Sequence, residues 1–144
     1  MEVIREFIDA YAFLSNFYHS PVKYRNLIYL NAEAAFQAQK ESCEKDKEQY
    51  TRMNPAQAKL VGRNCNLRED WEEIKEQTMY EIVKAKFTQN EALARLLLAT
   101  GDAYLEEGNW WHDTTWGVCN GLGQNKLGKI LMRVREELDG GTWE

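Results

Sequence analysis

The segment WWHDTTWGVCNGLGQNKLGKILMRVR, residues 110–135, places three tryptophans, a carboxylate and an asparagine on irregular sequence just before a regular helix. Flat apolar faces beside a few polar groups, next to a helix N-terminus, suit a planar, partly charged ligand. A second constellation lies upstream in NAEAAFQAQK, residues 31–40. On a helix, seven steps of about 100° return Lys40 to nearly the angular position of Glu33, with Gln37 one turn along the same face. An acid, an amide and an amine set among Ala32, Ala34, Ala35 and Phe36 form one candidate site; an exposed helix with a spaced ion pair is the alternative. Together the two segments point to a small enzyme.

Arg63 follows Gly62 where a helix should end. An arginine there can fork onto phosphate oxygens, or it can satisfy helix-end carbonyls. Asp113 and Trp116 straddle a tight turn preceded by Glu107 and Asn109. Two of Trp110, Trp111 and Trp116 are expected to face the interior, as aromatics usually do. GLGQNKLG is not a phosphate loop, because no Gly-Lys-Ser/Thr is present. Ser15 and Ser20 lack a GxSxG setting, and neither histidine suggests a triad.

The elements that must position these residues can be read from pattern. Residues 3–8 alternate weakly and VKYRNLIYL suggests a hairpin around Arg25-Asn26. Asn31 caps a helix through about Glu41. A charged helix covers 45–52, with Lys45, Lys47 and Arg52 on a solvated face. Pro55 opens a helix running to about Val61. Asp70 caps the longest helix, about 71–88, which buries Trp71, Ile74, Ile82, Val83 and Phe87. A short apolar helix spans 91–99 and AYLEE (103–107) is a strand. In the last helix Leu127, Ile130, Leu131, Val134 and Leu138 form the apolar stripe, and Gly140-Gly141 ends it. The expected class is α+β: a mainly helical single domain with a small antiparallel sheet near the beginning.

Composition narrows the function classes. The chain has 144 residues, 18 basic and 23 acidic, for a net charge of −5. It carries no basic stripe, so no extended nucleic-acid footprint is expected. No apolar run approaches the roughly 20 residues that cross a bilayer, and no signal peptide is evident. Cys43, Cys65 and Cys119 form no close pair, which points to reduced thiols in a cytoplasmic setting. His19 and His112 lie far apart and no metal-ligand spacing appears.

FLSNFY (13–18), AEAAFQAQK (32–40), Gly62-Arg63, Trp71 ahead of a helix closing in KAKF, LLLATGDAYLEEGN (96–109), WHDTTWG (111–117) and GQNKLGKILMRVR (123–135) appear in one order along the chain. This ordered set resembles the NADAR, or YbiA-like, family of small N-glycosidases. The resemblance implies an α+β YbiA-like fold and cleavage of a ribose C–N bond. It also implies the substrates: phosphorylated ribosylamino-pyrimidine intermediates of riboflavin synthesis, or ADP-ribose on guanine. Glu33 matches the family's catalytic glutamate, and Trp71 and Trp116 match tryptophans of its active site. Asn16, Lys40, Arg63, Glu107, Asp113 and Asn125 match further motif positions. The chain departs at Ala34, where histidine commonly follows the glutamate, and at Val118, where an acid often follows Trp-Gly; Asp113 is then the second carboxylate.

The implied mechanism uses Glu33 to stabilise the cationic ribose ring or activate water. Lys40 either holds a phosphate or hydroxyl, or attacks an opened ribose as a Schiff-base nucleophile. Arg63 is assigned to the phosphate. No metal or organic cofactor is required. The alternative is a non-catalytic ADP-ribose or nucleotide-binding module, and the oligomeric state is left open.

Overall fold

The computed structural model describes residues 2–141. Their contacts group into two compact units: Met1–Ser15 with Asn90–Glu144, and Asn16–Gln89.

The first strand, β1 (Val3–Ile4), lies in the other unit; the Asn16–Gln89 unit begins with the expected hairpin of β2 (His19–Tyr24) and β3 (Leu27–Asn31). Arg25 and Asn26 join β2 to β3 with φ of 48° and 75°, the left-handed pair that a tight hairpin turn requires. Alternation buries Val22 opposite Tyr29. Asn31 ends β3 and caps α1 (Ala32–Ala38), its side chain accepting from the Ala34 N–H at 2.7 Å. Every residue of α1 is buried, in keeping with a run of alanines and Phe36. The helix packs on α3 (Pro55–Arg63) and α4 (Trp71–Thr88). A reciprocal Asn54–Gln57 cap and Pro55 at the first position start α3, satisfying N–H groups that lack helical partners.

The other unit pairs β1 in parallel with β4 (Tyr104–Leu105), and β5 (Gly108–Asn109) in parallel with β6 (Val118–Cys119). Helices α5 (Glu91–Ala99) and α6 (Lys126–Asp139) pack on each other. Leu127, Leu131, Val134 and Leu138 are buried on α6, the stripe its spacing predicts.

The class is α+β, with four corrections to the expected detail. Strands are not confined to the beginning, and among the described residues one of the three strand pairs is antiparallel and two are parallel. The charged helix α2 stops at Glu48 (Glu44–Glu48) and continues as a 3-10 turn, Gln49–Arg52. Lys47 is buried on it, with an ion pair to Glu44 at 3.4 Å. Asp70 starts α4 but makes no side-chain cap, because its carboxylate takes the Arg68 guanidinium at 2.6 Å. Among the described residues no helix is long and apolar enough to cross a membrane.

Candidate active site

Glu33 lies in the first turn of α1, where the helix dipole favours a carboxylate. Its backbone N–H donates to the Asn16 carbonyl at 3.0 Å. Its Oε2 accepts from Gln37 Nε2 at 2.6 Å, one turn along. The glutamate is 9% exposed. Asn16 is itself buried and directs its amide to the Met79 sulfur at 3.3 Å, while Phe17 and Tyr18 beside it are exposed.

Lys40 is not in the helix that the sequence reading gave it. α1 ends at Ala38, and the N–H groups of Gln39, Lys40 and Glu41 bond three residues back, to Phe36, Gln37 and Ala38, each at 3.1 Å. This tighter turn rotates Lys40 by roughly 40° from its α-helical position, too little to take it away from Glu33. Its carbonyl accepts from the Arg68 N–H at 3.0 Å. The next residue, Glu41, accepts from the Tyr50 hydroxyl at 2.7 Å. Burial lowers the Lys40 pKa; Cys65 and Glu33 oppose that shift, and the positive Arg63 and Lys59 add to it. Lys40 is therefore the residue on which the charges of Glu33, Lys59 and Arg63 act together.

Arg63 is the exposed last residue of α3, which runs through Gly62 and does not end there. Gly62 stays helical because α1 presses on it: a Cβ at this position would overlap the Gln37 side-chain oxygen. Lys59, one turn earlier, places its ammonium 5.9 Å from the centre of the Phe17 ring.

Trp71 opens α4 and packs on Phe36, with ring centres 5.0 Å apart at a 55° tilt. At 5% exposure it is built into the interior. Further along the same helix is a buried lysine. Lys86 is 1% exposed, its ammonium 5.1 Å from the Phe87 ring centre and 5.7 Å from that of Tyr18. Burial pushes its pKa down to about 7. The signal was available: Met79, Ile82, Val83 and Lys86 follow the i, i+3, i+4, i+7 pattern of a buried stripe, and the fourth member is a lysine.

The remaining candidates lie in the other unit. Asn125 is buried with a left-handed φ of 52°. Its Oδ1 accepts from the Glu107 N–H at 3.0 Å, and its Nδ2 donates to the Leu105 carbonyl at 2.9 Å. Asn109 donates to the Glu107 carboxylate at 3.2 Å and to the Asp113 carbonyl at 2.9 Å. Asp113 Oδ1 accepts from the N–H groups of Thr115 and Trp116 at 3.1 and 2.9 Å. Glu107, Asp113, Trp116 and Asn125 are thus held by one local network. Trp116 is half-buried, whereas Trp110 is 81% and Trp111 45% exposed. Two of the three face outward, contrary to the expectation that two face in. Among the described residues no group of three or more His, Cys, Asp or Glu is placed to hold a metal ion.

The NADAR domain model matches residues 5–139. This chain belongs to the NADAR domain family. The match spans both units and every candidate residue. The NADAR chain is 42% identical over 134 residues to N-glycosidase YbiA of Shigella boydii, covering 90% of this chain and 83% of that one. It is 40% identical over 134 residues to a riboflavin biosynthesis protein of Vibrio vulnificus, covering 90% of this chain and 36% of that one. The NMR structure of E. coli YbiA matches it with a TM-score of 0.86 at 38% identity, covering 100% of this chain and 90% of that one. The NADAR chain is accordingly an enzyme of the N-glycosidase class, a hydrolase acting on N-glycosidic bonds.

Proposed function

We propose that this enzyme hydrolyses the bond between C1′ of a phosphorylated ribose and a nitrogenous group, with a ribosylamino-pyrimidine intermediate of riboflavin synthesis as the first substrate class and ADP-ribose on guanine as the second. The observation that carries this reading is the buried Glu33 carboxylate acting on Lys40, which Lys59 and Arg63 also act on. As the amine departs, positive charge grows on the ribose ring, and a fixed carboxylate stabilises it or activates the attacking water. Lys40, with Lys59 and Arg63 acting on it, suits the phosphate that travels with the sugar. The name of the Vibrio vulnificus relative supports the pyrimidine class. The setting proposed is cytoplasmic, where Cys43, Cys65 and Cys119 stay as free thiols.

Glu33 is the catalytic carboxylate in this reading, Arg63 binds the phosphate, and Lys40 holds the same phosphate as a cation. Asn16 fixes the entry to α1 and Trp71 backs the site through Phe36. Asp113 is proposed as a further carboxylate acting through Oδ2, since Oδ1 holds the Thr115–Trp116 turn. Glu107, Trp116 and Asn125 are proposed to shape substrate binding.

Two measurements test the assignment to a phosphorylated sugar. Removing the phosphate from the ribosylamino-pyrimidine should lower kcat/KM by about tenfold or more, the value of one charge-assisted contact; equal kcat/KM for both forms contradicts it. Lys40→Arg should keep activity within about tenfold, because the charge remains, and borohydride added during turnover should trap nothing. A covalent adduct at Lys40 with a nearly dead Lys40→Arg would replace the electrostatic role with Schiff-base chemistry. The competing reading, a binding module without turnover, draws on Ala34 and Val118; tight binding of either substrate without product would favour it.

A further inference from the structure

Gln37 has two features that a residue serving only the core would lack. Its Nε2 donates to Glu33 Oε2 at 2.6 Å, while its Oε1 is buried and accepts no hydrogen bond among the described residues. A buried amide oxygen without a donor is costly, and native proteins retain few of them. Here that oxygen is pressed on the backbone of Gly62, where any larger residue would collide with it. Close packing at Gly62 restricts the side chain's rotamer, and the Glu33 carboxylate, which only accepts, takes the NH₂ end of the amide.

The interaction joins residues one turn apart on α1, so packing alone would be served as well by methionine, which has similar length and no polar atoms to satisfy. What methionine cannot supply is the N–H that fixes one carboxylate oxygen. We propose that Gln37 is the positioning residue of Glu33, held in place by the close packing of Gly62, and that it acts on the reaction only through that carboxylate. The inference rests on the reading of Glu33 as the reacting carboxylate. Anchoring Oε2 restricts the side-chain rotation that would otherwise blur the geometry of attack.

The proposal gives stability and activity opposite signs in one variant. Gln37→Met should fold with a thermal midpoint equal to or above that of the native chain, since the orphan oxygen is gone. Its kcat should fall by about 10- to 100-fold with KM nearly unchanged, the pattern of a lost transition-state alignment. In a Glu33→Gln background the same change should leave the residual rate unaltered, because the group it acts through is already gone. Gly62→Ala should displace the amide and lower kcat in the same way, provided circular dichroism shows a folded chain. A native kcat in Gln37→Met, a kcat loss matched by a loss of stability, or a further fall in the Glu33→Gln background would each overturn the proposal. A Glu33→Gln variant that itself turns over normally would instead remove the reading beneath it, so the two failures are distinguishable.

Discussion

Glu33→Gln should fold as the native chain does and lose about 10²-fold or more in kcat, the contribution expected of a positioned proton-transfer or charge-stabilising group. The amide keeps the side chain's shape, the first-turn position on α1 and an oxygen able to accept from Gln37. It removes the charge that answers the cationic ribose and the basicity that activates water. Steady-state kinetics on a purified variant, with its thermal midpoint alongside, check this. Activity within a few-fold of native in a folded protein would take Glu33 out of the mechanism, and a collapsed midpoint would make its role structural.

Lys86→Met should stabilise the protein at neutral and lower pH by at most about 5 kcal/mol, the scale of a pKa lowered from 10.5 to about 7 at about 1.4 kcal/mol per unit, less what the contacts of the ammonium return. In the unfolded chain this lysine titrates at its ordinary 10.5, and in the folded chain at about 7. Below pH 7 both states carry the proton, and the folded state bears the cost that burial places on the ammonium. Between about 7 and 10.5 the unfolded state binds more protons, so native stability rises with pH. Above 10.5 that cost is gone. The advantage of Lys86→Met should therefore be greatest below pH 7 and fade as pH approaches 10.5. Denaturant unfolding of both proteins across pH 6–10 measures it, and a variant less stable than native at pH 6 would contradict the account. A buried lysine under Tyr18, beside the motif that carries Asn16, marks position 86 for activity assays as well.

How much of this was legible in the sequence depended on whether local rules acted alone. The last helix follows its apolar stripe because amphipathicity decides its register, and Arg25-Asn26 turns where left-handed residues are needed. The end of α1 was hidden. Nothing in AEAAFQAQK breaks a helix, yet Gln39 donates to the Ala35 carbonyl at 3.0 Å and to the Tyr29 hydroxyl at 3.3 Å as the turn tightens. Gly62 reads as a terminator until α1 is seen pressing on it, so Arg63 belongs to the helix by tertiary packing. The Trp110 and Trp111 error has a similar origin. Aromatic content predicts burial on average, whereas here the two rings meet edge to face, 5.6 Å apart, and stay largely exposed. Glu33 was the more readable part of the site, since Asn31 fixes the start of α1. The roles of Gln37 and Lys86 needed contacts that a single chain of letters does not display.

Product analysis of the native enzyme with a phosphorylated ribosylamino-pyrimidine tests the central claim most directly. Mass spectrometry should find ribose phosphate and free aminopyrimidine in equal amounts, with every nitrogen retained on the pyrimidine, and the same reaction should fall away in Glu33→Gln. A pyrimidine that has lost its amine, or substrate recovered bound and intact with neither this riboside nor ADP-ribosylated guanine cleaved, would contradict it.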